Sequence, residues 1–97
     1  MTGHLMHDWT LVSISFDWRN ARVTIELEDL TFTVRTLIAE GVRELKAPKA
    51  NEWGPSVSVN EVSEVEGEHS QGRCLRIEMQ SGDVIQIVAE RIALPSQ

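Results

Sequence analysis

Side chains that could do chemistry are few in this sequence, and they are scattered. Near the start stand His4, His7 and Asp8, a His-x-x-His-Asp spacing that could bring two imidazoles and a carboxylate to one cation. A structural zinc site asks for four ligands, usually including thiolates. The remaining soft ligands, His69 and Cys74, lie far along the chain, so no metal and no cofactor is expected. A nucleophile would need Ser or Cys beside His and an acid. Cys74 opens an alternating stretch with its parity opposite to Leu75 and Ile77, and His69 sits across Gly72 from it. There is no glycine-flanked nucleophile elbow and no glycine-rich phosphate loop, because the 6 glycines stand singly where turns are wanted. The residues therefore point to a chain that is not an enzyme.

Two features fit binding better than catalysis. The segment Asn60-Glu61-Val62-Ser63-Glu64-Val65-Glu66-Gly67-Glu68 carries four carboxylates and no basic residue. As a patch, Glu61, Glu64, Glu66 and Glu68 would steer a basic protein partner. Trp53, in Glu-Trp-Gly-Pro-Ser, is a large aromatic on a Pro/Gly loop, suited either to lid a core edge or to anchor an interface.

The elements that must position these residues read as strands. From Leu11, alternation places Val12, Ile14, Phe16 and Trp18 on one face; Val23, Ile25 and Leu27 follow, then Phe32 and Val34. Two-residue turns at Asn20-Ala21 and Asp29-Leu30 would set Trp18 opposite Val23, Ile14 opposite Leu27 and Ile25 opposite Val34. All the apolar residues then share a side. Near the C-terminus, Leu75, Ile77 and Met79 pair with Ile85, Ile87 and Ala89 if a three-residue loop with a bulge joins them. Between these hairpins, Val42 and Leu45 lie three apart in a short strand of irregular geometry. Val59, Val62 and Val65 repeat that spacing in a segment whose β-branched residues favour a bent strand. The expected fold is mainly β, a small antiparallel sandwich or half-barrel of about seven strands. Its core would comprise the residues named on the alternating faces.

Composition sets the limits. The 97 residues make one domain, 1–97, and 41% hydrophobic with 25% charged is ordinary globular usage. Apolar runs of two or three residues are far short of a membrane span, for which about 18 are needed. Nine basic against 15 acidic residues leave a net charge of -6, the wrong sign for a nucleic-acid backbone or an anionic membrane surface. A single cysteine excludes an intramolecular disulfide, and the start lacks the basic and apolar regions of a signal peptide, so the expected compartment is the cytoplasm.

The stretch His7-Asp8-Trp9-Thr10-Leu11-Val12-Ser13-Ile14, the Gly41-Val42-x-x-Leu45 element and the Ser81-Gly82-Asp83 hairpin leading to Ala89 resemble small bacterial β-rich proteins. Some of these are grouped with the immunity proteins of polymorphic toxin systems. That resemblance implies a non-catalytic module that binds another protein, as a toxin-neutralising immunity protein does, and it brings no active-site residues with it. The rival readings are a small-molecule- or metal-binding β-domain, a minor enzyme using His7, Asp8 and Cys74, or a structural subunit that pairs into a homodimer.

Overall fold

Six strands account for the computed structural model, which describes residues 6–49, 58–65 and 72–95. They are β1 (Thr10–Asp17), β2 (Arg22–Glu28), β3 (Val34–Lys46), β4 (Val59–Val65), β5 (Arg73–Met79) and β6 (Val84–Ala93). All pair antiparallel in one sheet of order β1-β2-β3-β6-β5-β4. The sheet curls into a half-barrel, and its two edges meet at one corner. There Thr10 bridges Ser58, Asp8 N–H donates to the Val59 carbonyl at 2.8 Å, and Val59 N–H donates to the Trp9 carbonyl at 2.8 Å. Among the described residues the strand number is thus six rather than about seven, and the architecture is the expected one.

The inner face is the core. Val23, Ile25 and Leu27 from β2, Leu37 and Ala39 from β3, Leu75 and Ile77 from β5, and Ile87 and Ala89 from β6 are fully buried. Met6 and Trp9 close the corner where the edges meet, at 1% and 6% exposure. Trp9, which alternation leaves unassigned, is therefore a core residue.

Register differs from the sequence expectation in an orderly way. In the first hairpin Phe16 faces Val23 and Ile14 faces Ile25, two residues away from the expected pairing. A slip of two preserves the face, so Ile14 still points inward, but Trp18 leaves the strand for a four-residue connection. Its carbonyl accepts the Ala21 N–H, and the indole is 84% exposed. The C-terminal hairpin behaves likewise: Ile77 faces Ile85 and Leu75 faces Ile87. Its loop is the three residues Gln80–Gly82, closed by Gly82 N–H to the Met79 carbonyl and Met79 N–H to the Asp83 carbonyl. Gly82 takes φ 98 there, as the bulged three-residue turn requires.

The β2–β3 connection breaks the expectation. Leu27 faces Arg35 and Ile25 faces Leu37, a shift of three, and an odd shift reverses every side chain. Phe32 and Val34 are thrown to solvent at 82% and 55%, while Leu37 and Ala39 fill the core instead. The cause is local. The Asp29 carboxylate accepts from Thr31 N–H, Thr31 Oγ1, Thr33 N–H and Arg35 Nε, at 2.7–3.0 Å, and so holds a five-residue loop. The Thr31 hydroxyl, then the Thr33 amide and the Arg35 guanidinium, keep this carboxyl well below the usual carboxylate range.

Three bulges explain the three-residue spacings. Register shifts between Leu11 and Ser13, between Val42 and Glu44, and between Val59 and Glu61. One extra residue in each place lets Leu11 and Ile14, Val42 and Leu45, and Val59 and Val62 all face inward. The same device turns Val12 outward, at 54% exposure. The β3–β6 ribbon also changes face near Gly41, whose φ is +67. A Cβ there would meet the Glu90 side chain at 2.8 Å. Inward residues run Leu37, Ala39, then Val42, Leu45 on β3, and Ile87, Ala89, then Ile92 on β6. That bend divides the sheet into two facing halves. No helix among the described residues is long and apolar enough to cross a membrane.

Candidate binding cleft

β1 belongs to one half of the bent sheet and the second half of β3 to the other, and the two diverge. Pairing of β2 with β3 stops at Arg22–Glu40, so residues 42–46 of β3 pair only with β6, apart from a Val42 N–H bond to the Ala21 carbonyl. On the other wall, β1 pairs only with β2 beyond the Thr10–Ser58 bridge. Inward side chains along both are left partly uncovered. Phe16 lies opposite the buried Val23, hence on the core face, yet it is 40% exposed. The result is a cleft between β1 and residues 42–49, with a separate opening toward each end.

At one end Leu11 and Ile14 face Ala47 and Pro48 over a floor of Met79 and Ile85, enclosing about 280 Å³. Lys49, Ser81 and Asp83 supply the polar rim. Asp83, 7% exposed, accepts from the Ser81 hydroxyl at 2.9 Å. At the other end Phe16, Trp18 and Ala21 face Val42 and Leu45, with Arg43 and Glu44 also in the lining. The Phe16 and Trp18 rings are tilted at 48° with centroids 5.6 Å apart, a favourable aromatic geometry that pre-orders an otherwise exposed indole. Asp17, beside them, is lowered from the ordinary carboxylate range by the Asn20 side-chain amide and backbone N–H, which fix the turn carrying Trp18.

The residues singled out by sequence fall elsewhere. Trp53, Glu66 and Glu68 lie outside the described residues, as do His4 and His69. Glu61 and Glu64 are both on β4, but the pleat separates them. Glu61 faces Glu78 on the outer surface, whereas Glu64 faces Leu75 and ion-pairs with Arg73. They do not form one patch, and the Glu64 charge is locally answered. His7 and Asp8 act as a latch. His7 Nδ1 is 2.6 Å from the Asn60 carbonyl, and Asp8 Oδ1 accepts from Gln80 Nε2 at 2.6 Å, tying the chain start to β4 and the β5–β6 turn. Cys74 is half-buried, paired in register with Val65 and Val88. Among the described residues no three His, Cys, Asp or Glu side chains gather as a metal site would require.

Sequence reasoning missed the cleft because it placed Phe16 and Trp18 inside. One signal was available: Trp18-Arg19-Asn20-Ala21 holds an aromatic and a cation in a segment that a longer turn would expose. Comparison with family models, with curated proteins and with solved structures finds no match to this chain.

Proposed function

We propose that the chain is a non-catalytic protein-binding module that grips its partner at the cleft between β1 and the second half of β3. The observation that carries this reading is the exposed Phe16–Trp18 pair, its rings in tilted contact at the mouth of an opening beside the core. Leaving an indole in water forgoes a burial worth roughly 1.5–3 kcal/mol for a large apolar side chain. A partner that covers it recovers this, and aromatic residues set in apolar surroundings dominate binding energy at interfaces. A toxin-neutralising immunity protein is the specific form of such a module that the resemblance implies.

The test is a photo-crosslinking amino acid placed at Phe16 or, as control, at Ser15, whose side chain leaves the opposite face of β1. Mass spectrometry of the crosslinked product identifies the partner, which is then purified. The expected result is a crosslink from position 16 alone, and at least a tenfold weaker complex of the purified proteins with Trp18→Ala. Equal crosslinking from both faces, or affinity unmoved by Trp18→Ala, would overturn the reading.

A further inference from the structure

We infer that the cleft receives an extended segment of the partner chain, apolar at alternate positions and carrying a carboxylate near each end; this rests on the protein-binding reading above. Three properties of the cleft select that chemistry. The first is shape. From Leu11 to Asp17 the β1 wall runs roughly 20 Å at about 3.3 Å per residue, the length of a strand of about seven residues. The second is the unpaired main chain. Alternate residues of β1 past Thr10 direct their amides and carbonyls away from β2, and among the described residues no strand meets them. Residues 43–46 of β3 likewise pair on one side only. An acyl chain would leave these groups without partners in an apolar cleft, whereas an added strand pairs with them. Its pleat then sends every second side chain to Ile14, Phe16 and Leu45, which explains the alternation.

The third property is charge. Most basic side chains of this acidic protein are ion-paired, including Arg22 and Arg91 with Glu40, Arg43 with Glu90 and Lys46 with Glu44. Arg19, Lys49 and Arg76 form no ion pair among the described residues, and of these Arg76 stands apart on β5, in a hollow it shares with Glu61 and Glu78. Lys49 lines the rim at one end of the cleft, and Arg19 follows Trp18 in the turn beyond the other. Two unanswered cations at the ends of an apolar strand slot match a segment flanked by Asp or Glu. The partner as a whole faces a chain of net charge -6, so its docking segment rather than its overall charge carries these carboxylates.

The experiment measures fluorescence anisotropy of two fluorescein-labelled peptides with the full chain. One is Asp-Val-Thr-Ile-Thr-Val-Thr-Asp; the other has Lys at both ends. The Asp-flanked peptide should bind at least tenfold more tightly, and the preference should reverse in the double variant Arg19→Glu, Lys49→Glu. A thermal melt verifies that this variant is folded. N-methylation at alternate peptide residues should abolish binding in one register and spare it in the other, the signature of an added strand. Equal binding of both peptides, or equal tolerance of N-methylation in both registers, would overturn the inference. So would competition by palmitate with an Asp-flanked peptide that shows no strand register, or light scattering showing a dimer whose formation excludes the peptide. If neither peptide binds while the crosslinked partner still depends on Trp18, the strand proposal falls and the protein-binding reading stands. If both experiments fail, both fall.

Discussion

Truncating Leu37 and Phe32 in parallel separates the two ways in which β3 can lie on β2. Leu37 is 0% exposed and faces the equally buried Ile25, so Leu37→Ala leaves a void that its packed neighbours only partly fill. Such truncations cost about 2–5 kcal/mol. For a domain of this size each kcal/mol moves the melting midpoint by about 4–8 °C, so Tm should fall by roughly 8–40 °C. Phe32 is 82% exposed at φ 63, where its ring touches little and its backbone is strained. Phe32→Ala should therefore stay within about 0.5 kcal/mol of the parent. Phe32→Gly should be neutral or raise stability, because relief of a left-handed conformation worth about 1–2 kcal/mol opposes the greater chain freedom of glycine. Urea titrations followed by circular dichroism, with the slope m compared across variants, supply the free energies. The reasoning is refuted if Phe32→Ala destabilises as strongly as Leu37→Ala. That pattern would put Phe32 on the core face and shift the β2–β3 register by an odd number.

Replacing Gly72 by Ala should destabilise by about 2 kcal/mol or more, since φ is +120 and the new Cβ would sit 2.4 Å from the Ala89 carbonyl oxygen, a backbone atom that cannot swing aside; a soluble variant with unchanged Tm would contradict this close approach. Trp9→Ala should cost about 3–5 kcal/mol by emptying the corner where the sheet edges meet, and hydrogen exchange should quicken at Asp8 and Val59 before the central strands. Exchange rising uniformly would show that the corner is no separate closure. Asp29→Asn should be less stable than the parent at pH 7, and the gap should close in acid. The folded-state carboxyl titrates below its unfolded value of about 3.9, so its contribution is complete above about pH 5 and is lost as pH falls further toward the folded-state value. A gap independent of pH between 2 and 7 would mean that the charge of Asp29 does not hold the loop.

What the sequence by itself determined is where most of the strand-forming stretches lie and, for most of them, which side faces in, although the stretches about Val34 and Val42 proved to be one strand. A pleated strand repeats every two residues, so Val23, Ile25 and Leu27, or Leu75 and Ile77, declare an inner face without any knowledge of their partners. That parity survives a register slip of two, which is why both hairpins keep their core residues although their turns differ from expectation. Even the irregular spacings of Val42 with Leu45 and Val59 with Val62 were legible as bends, and they became bulges. Only the tertiary structure decided the rest. The face of Phe32 and Val34 depends on whether the turn holds an even or odd number of residues, and a single carboxylate, Asp29, settles that through hydrogen bonds that alternation does not encode. Pairing of β3 with β6, and the meeting of Trp9 with Val59, join residues far apart in the chain, where no local pattern specifies the neighbour. The cleft arises from both causes together. Phe16 has the parity of a core residue and Trp18 its composition, yet β3 bends at Gly41 away from β1, and among the described residues no strand covers them.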